Sequence, residues 1–273
     1  MSTLGPTPAH TPQLRKDDGA PVHPGTLYLV PNTLDLGLAA APLDTVLPAA
    51  VIQVAARLGH WAAEDAKTAR AFLKRVDALV PLTLPLQQIA MAELPRPRKG
   101  SGEVVPAAAW HALLAPALAG HDLGLISEAG LPAIADPGAA LVEAAHAAGV
   151  PVQPLVGPSA LMLALAASGL EGQSFAFVGY LPQEPAARVA RLRELEALSR
   201  RQRQTQLMIE TPYRNEALLQ AMLDALASDT RLSVSAGLTT AAAFTRSALV
   251  ATWRTQPSAL PPRVPAVFAL LAR

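Results

Sequence analysis

The sequence predicts an α/β protein of two domains: an N-terminal domain with a mostly parallel sheet and a C-terminal domain with a mixed sheet. Short apolar runs rich in β-favouring residues alternate with helical segments of about 10–15 residues, the rhythm of βαβ units. The last two apolar runs, Thr245–Thr252 and Pro265–Leu271, lack such a helical segment, which points to partly antiparallel pairing at the end of the second half. Of 273 residues, 51% are hydrophobic, enough to bury one full core or two smaller ones.

Residues 1–24 carry five prolines and no periodic pattern, and read as a loosely attached tail. Thr26–Val30 is a short apolar run stopped by Pro31, a buried strand that ends in a loop. Val46–Leu58 has helical spacing and stops at Gly59. His60–Ala63 is a second strand, and Asp65–Val76 a helix with Lys67, Arg70, Lys74 and Arg75 on its wet side. Pro81–Pro106 is irregular. With Pro85, Pro95, Pro97 and the basic residues Arg96, Arg98 and Lys99, it reads as a long excursion of the kind that often carries function.

The rhythm then becomes regular. Ala107–Leu118 is a helix kinked near Pro116, Asp122–Ser127 a strand, Gly138–Ala148 a helix and Pro151–Val156 a strand. Gly157-Pro158 stands between a strand and a helix and marks the boundary, which gives domains over 25–156 and 157–273. The second domain reads as helix Ser159–Ala167, strand Ser174–Tyr180, charged helix Pro185–Ser199, strand Thr205–Glu210, helix Asn215–Ala227, strand Arg231–Ala236 and the final pair of strands.

Several classes of chemistry are excluded. The chain has no cysteine, so it forms no disulfide, thiolate metal site or cysteine nucleophile. Its six histidines show no H-E-x-x-H or other ligand spacing, and no metal is expected; only His60 falls near a candidate site. The longest apolar run, Leu155–Leu170, is broken by Gly157, Pro158, Ser159 and Ser168, short of the roughly 20 apolar residues that a membrane helix needs. The N-terminus has no apolar signal region, so a cytoplasmic protein without a membrane segment is expected. A net charge of +1 leaves nucleic-acid binding to local patches. There is no Walker loop, no G-x-G-x-x-G after the first strand and no G-x-S-x-G elbow.

Positive signals lie where strands run into helices, because loops at the carboxyl ends of parallel strands form the ligand crevice. The most informative is Ser127-Glu-Ala-Gly-Leu-Pro-Ala-Ile-Ala-Asp-Pro-Gly138. In it Gly130 permits close backbone approach, and Asp136-Pro137 reads as a helix cap followed by proline at the first helical position. Ser159 after Gly157-Pro158 fits either a helix cap or a bond to a ligand carboxylate or ribose. Glu64-Asp65 fits acid/base work, a ribose contact, or negative charge at a helix start. Glu210 and Arg214 fit a pair across the turn. Arg188, Arg191, Arg193, Arg200, Arg201 and Arg203 are interleaved with Glu184, Glu194 and Glu196, the pattern of a solvated helix face.

Taken in order, several segments resemble the tetrapyrrole methylase superfamily of S-adenosylmethionine-dependent methyltransferases. Within it, they resemble the bacterial branch of 16S ribosomal RNA ribose 2′-O-methyltransferases. The segments are Gly25–Pro31, Ala62–Asp65, Ile126–Gly138, Leu155–Ala160, Gly179–Pro182 and Glu210–Arg214. The resemblance implies two α/β domains with a cofactor cleft between them, and a homodimer. It implies S-adenosylmethionine contacts from Pro31, Ser127, Glu128, Ala129, Gly130, Ile134, Ser159, Ala160, Tyr213, Ala236, Gly237, Ala266 and Val267. Glu64, Asp65 and Glu128 are the candidate catalytic groups, and Arg96, Arg98 and Lys99 the candidate phosphate contacts of an RNA or ribosomal-subunit substrate.

Three departures mark a sister subgroup. Pro31-Asn-Thr-Leu-Asp-Leu-Gly37 stands where the family has a P-T-P-I-G-N-L-like loop. Ala66-Lys-Thr-Ala69 replaces an R-H-T-G-like run, and Ala92–Gly100 replaces a His-rich segment. The acceptor therefore stays open between RNA ribose and a tetrapyrrole or other anionic small molecule, beside a non-catalytic cofactor-binding protein.

Overall fold

The computed structural model describes residues 23–35, 42–96 and 104–273, which form two compact units. The first comprises the chain up to Asn32 together with Leu43–Gly157; the second comprises Pro158–Arg273 and the stretch that follows Asn32. The expected tail lies outside the described residues, apart from His23 and Pro24.

The first unit runs β1 (Leu27–Leu29), α1 (Ala49–Arg57), β2 (His60–Ala63), α2 (Ala66–Asp77), β3 (Ala90–Glu93), α3 (Ala107–Leu113), α4 (Ala115–Leu118), β4 (Leu123–Ile126), α5 (Gly138–Ala147) and β5 (Val152–Pro154). Its strands lie in the order β3-β2-β4-β1-β5, and every pair is parallel. A parallel sheet has to be covered on both faces. Val51, Ile52, Trp61, Phe72 and Leu73 fill one side; Leu27, Trp110, Leu114, Leu125 and Leu141 fill the other. The α2 helix shows why the local sequence folds as it does. The Asp65 carboxylate accepts from the Thr68 amide at 2.6 Å and caps the start, while Ala69, Phe72, Leu73 and Val76 recur at helical spacing and are all buried.

Gly124 shows how tightly the central strands fit. It pairs with Trp61 in register, and a Cβ there would stand 2.7 Å from the indole Cε3. The indole itself is pinned by its Nε1, which donates to the Leu58 carbonyl at 3.1 Å.

The second unit runs α6 (Ala160–Ser168), β6 (Phe175–Phe177), α7 (Pro185–Gln202), β7 (Thr205–Glu210), α8 (Asn215–Ala225), β8 (Arg231–Ala236), β9 (Phe244–Leu249), α9 (Val250–Thr255) and β10 (Ala266–Leu271). The strand order is β6-β7-β10-β8-β9. Only β6–β7 is parallel, so the last strand sits in the middle of a mixed sheet. Strand alternation divides β10 between two cores: Ala266, Phe268 and Leu270 join the buried cluster of α7 and α8, while Val267 and Ala269 pack under α6.

The α/β class and the parallel-then-mixed pair of sheets agree with the sequence. Three elements differ. The irregular stretch 81–106 contains β3, an edge strand whose Ala90-Met-Ala-Glu93 has no β-branched residue to announce it. The helix expected over 107–118 is two pieces, with a break at Leu114–Ala115 beside Pro116. The strand expected over 245–252 ends at Leu249. Val250 and Trp253 then bury themselves from a short helix, because tertiary packing overrides their β preference.

Gly124→Ala is expected to lower stability by about 1–3 kcal/mol through overpacking against Trp61. Gly172→Ala, which meets nothing within 4 Å, serves as the control. Urea unfolding of the two variants side by side checks the difference.

Candidate functional site

In the first unit, chain topology selects the site. From β1 the chain crosses to β2 on one side, and from β4 it crosses to β5 on the other. The two connections run in opposite directions, each passing the other's strand, and open α/β sheets bind ligands at the carboxyl ends of strands where the direction of winding reverses. Pro31–Asn32 and Ser127–Gly130 stand at that point. The Val30 amide donates to the Leu125 carbonyl at 2.8 Å, and the Asn32 amide donates to the Gly130 carbonyl at 2.9 Å. The Asn32 side chain donates through Nδ2 to the carbonyls of Ser127 (3.2 Å) and Glu128 (3.1 Å).

The loop beyond β4 is forced into an uncommon shape. Gly130 (φ 71°), Ala133 (φ 67°) and Ala135 (φ 66°) are all left-handed, and for alanine that region costs about 1–2 kcal/mol per residue. Asp136 offsets this cost: one oxygen, Oδ1, accepts from the amides of both Ala133 (2.9 Å) and Gly138 (2.7 Å). A Cβ at Gly138 would come within 2.8 Å of that oxygen, so glycine is needed for the closure. The expected cap is thereby corrected. Helix α5 starts at Gly138, where the pattern places it, but its N-cap is Pro137 and not Asp136, because Asp136 serves the loop as well as the helix. Burial pushes the Asp136 carboxyl up, against the opposing effect of its two amide bonds.

The expected catalytic groups gather on the same edge. Glu64 follows β2, and its Oε2 accepts from the Glu128 amide at 3.0 Å. Glu128 is exposed; partial burial first, and then the charges of Glu64 and Asp65, raise its carboxyl above the ordinary range. Asp65 is held below its usual range, chiefly by the Thr68 bonds that cap α2. Arg96 lies 3.9 Å from the Glu128 carboxylate and donates to the Glu64 carbonyl. Arg98 and Lys99 lie outside the described residues. Ile134 offers exposed apolar surface in the loop.

His60 does not join this group. It starts β2, at the opposite end from Glu64, and stacks near His121 with ring centroids 5.2 Å apart. Asn32 escaped the sequence reading. Its only signal was a polar residue directly after a buried strand and Pro31.

In the second unit, register places Ala266 between Glu210 and Ala236, so three strand ends share one edge. Beyond it, Glu210 accepts from Arg214 at 2.7 Å (Nη2) and 2.9 Å (Nε), the pair expected across the turn. This leaves Tyr213 82% exposed. Gly237 (φ 59°) opens a tight turn closed by Thr240 Oγ1, which donates to its carbonyl at 2.7 Å. Val267 packs with Ala160 under α6, so its side chain belongs to the core. Ser159 caps α6, accepting from the Met162 amide at 3.5 Å. On α7, Arg191 pairs with Glu194 at 2.7 Å, Glu184 caps the helix, and Glu196 is buried and accepts from the Ala227 amide.

A parallel five-stranded sheet with a switch-point crevice and a second, mixed sheet define an α/β fold found among methylases. The uroporphyrin-III-C-methyltransferase of Thermus thermophilus shares it with a TM-score of 0.50, over 90% of this chain and 92% of that one, at 18% identity. The sequence profile of the Tetrapyrrole (Corrin/Porphyrin) Methylases matches residues 36–251, and the chain belongs to that family.

Relatives named ribosomal RNA small subunit methyltransferase I include one from Vibrio cholerae, 43% identical over 122 residues (45% of this chain, 41% of the relative). Another, from Micromonospora olivasterospora, is 36% identical over 217 residues (79% of this chain, 60% of the relative). The matches thus span less than two thirds of these relatives' length. Among the described residues no helix is long and apolar enough to cross a membrane, and no cluster of three or more metal-ligating side chains occurs.

Asp136→Ala is expected to cost about 1–3 kcal/mol by orphaning two amides, and Asp136→Asn less, since its Oδ1 still accepts. Because burial raises the folded-state pKa of Asp136, the folded chain holds its proton longer, and this group's contribution to stability falls as pH rises from the ordinary carboxylate value through the folded value. Urea titrations across the acidic range are expected to show that slope in the wild type and to lose it in Asp136→Asn.

Proposed function

We propose that this chain is an S-adenosylmethionine-dependent methyltransferase that modifies a ribose 2′-hydroxyl of small-subunit ribosomal RNA. The observation that carries the reading is family membership together with a laced switch-point crevice in the parallel sheet. The names of the relatives support the RNA substrate. The family resemblance supports a homodimer, and a cytoplasmic location suits such a substrate.

The residues present fit the cofactor. In the first unit, Pro31, Ser127, Glu128, Ala129 and Gly130 supply backbone and small side chains, and Ile134 an apolar surface for a nucleoside. In the second, Ser159, Ala160, Tyr213, Ala236, Gly237, Ala266 and Val267 supply candidate contacts, Val267 through its backbone. Acidic groups at the crevice suit a cationic sulfonium. When bound, the cofactor supplies an activated methyl group.

The protein's own work is then to orient the acceptor and take its proton. Among the three candidates, Glu128 is best placed for the proton. Asp65 is engaged as a cap and Glu64 holds the Glu128 amide, whereas Glu128 is exposed and its carboxyl is raised above the ordinary glutamate range. Arg96, beside it, is positioned to meet an RNA phosphate.

Labelled methyl transfer into small subunits and free 16S ribosomal RNA from a strain lacking the endogenous enzyme tests the reading; no incorporation into either, across a range of salt, would overturn the RNA substrate. Glu128→Gln is expected to lower kcat by about 10²–10⁴-fold with the cofactor KM little changed. Glu128 must be ionised to act, so wild-type activity should fall as pH drops through a value above the ordinary glutamate range. That acidic limb should be absent from the residual activity of Glu128→Gln.

A further inference from the structure

We propose that Asn32 is a positioning residue that turns the loop after β4 so that the Ala129 amide faces the ligand. This inference rests on the methyltransferase reading above. Asn32 is only 4% exposed. Its Nδ2 donates to the carbonyls of Ser127 and Glu128, and its main-chain amide donates to the carbonyl of Gly130. Three carbonyls within four residues therefore point at one side chain and its backbone.

In a trans peptide the carbonyl and the following N–H point in opposite directions. Each carbonyl drawn toward Asn32 thus sends the next amide the other way. The Glu128 amide obeys this rule and meets Glu64 Oε2 at 3.0 Å. The Ala129 amide is turned by the same logic, yet it donates to no group among the described residues. An amide held outward at the mouth of a switch-point crevice, on a loop already fixed at both ends, is a preformed donor for a ligand oxygen, either a carboxylate or a hydroxyl.

The carboxamide is specifically suited to this task. It presents two protons from one nitrogen, which span two successive carbonyls. Aspartate has the same shape but no such donors and would repel both carbonyls when ionised. Through these bonds Asn32 acts on the loop's backbone, so its effect on catalysis runs through the loop.

The test is calorimetric binding of S-adenosylhomocysteine to the full-length wild type, Asn32→Asp, Asn32→Ala and Asn32→Gln, with circular dichroism to identify folded variants. Asn32→Asp and Asn32→Ala should weaken binding by about 10- to 100-fold, since small misplacements at a site have effects of that order. Asn32→Gln should recover part of the loss. In turnover, the cofactor KM should rise while the KM for RNA stays unchanged, a split that general destabilisation would not produce. Folded Asn32→Asp that binds like the wild type would overturn the role of Asn32 alone. A wild type that does not bind would overturn the methyltransferase reading as well. Amide NMR of the wild type needs no variant: the Ala129 resonance should move downfield on saturation, and an unmoved resonance would overturn the proposal.

Discussion

The lacing of β1 to β4 at their carboxyl ends is the constraint on which the first unit's site depends. In a parallel sheet all strand ends of one kind lie on one edge, and the loops that leave those ends line the ligand crevice. Uncovered backbone beside a buried strand carries polar groups that must find partners. Here the Asn32 amide donates to the Gly130 carbonyl across the crevice. An unpaired buried carboxamide would cost about 1–3 kcal/mol, comparable to the gain from burying one Leu or Val, so a buried asparagine survives here only because it is bonded. The same bonds that satisfy Asn32 dictate which way the next peptides face. Structural necessity and ligand geometry are therefore one arrangement.

That arrangement also sorts the carboxylates. A carboxylate that accepts a backbone amide is stabilised in its charged form and makes a poor proton acceptor. Asp65 is in this position, bonded to Thr68; Glu64 has a structural engagement, one oxygen accepting from the Glu128 amide. Glu128 gives its amide to the network but keeps its side chain outside it. Partial burial first, and then two negative neighbours, raise its proton affinity, and Arg96, nearly 4 Å away, compensates only in part. Three acids close in sequence or space thus have three roles: cap, loop anchor and candidate base.

The legible parts of the sequence were those whose causes are local. The β4 run Leu-Gly-Leu-Ile and the Glu210–Arg214 pair each rest on residues within a few positions of one another and could be read directly, and the Ser159 cap was one of the two readings its position offered. What was not legible depends on distant partners. Asn32 acts on residues 95 and 96 positions away, and nothing near it reveals that. The β3 strand exists because β2 offers it an edge; its own Ala-Met-Ala-Glu would suit a helix. Val250 and Trp253 have the composition of a strand and form a helix because the core needs both on one face. His60 looked close to the site because β2 is short in sequence, but its two ends face opposite edges of the sheet.

The second unit repeats the principle with different chemistry. Inserting the last strand, β10, between β7 and β8 brings Glu210, Ala266 and Ala236 into one row. Glu210 is almost wholly buried, and a lone buried carboxylate would be strongly destabilising; losing one partner of such a pair typically costs about 3–5 kcal/mol. Arg214 answers it with two bonds, and the Thr211 amide adds a third. Satisfying Glu210 in this way fixes the turn over residues 211–214, and the fixed turn holds Tyr213 out in solvent. The ring centroid lies 5.7 Å from the Arg214 Cζ, and the exposed ring keeps its apolar area available at little entropic cost. The buried ion pair is thus the reason that an aromatic ring is held exposed at this edge.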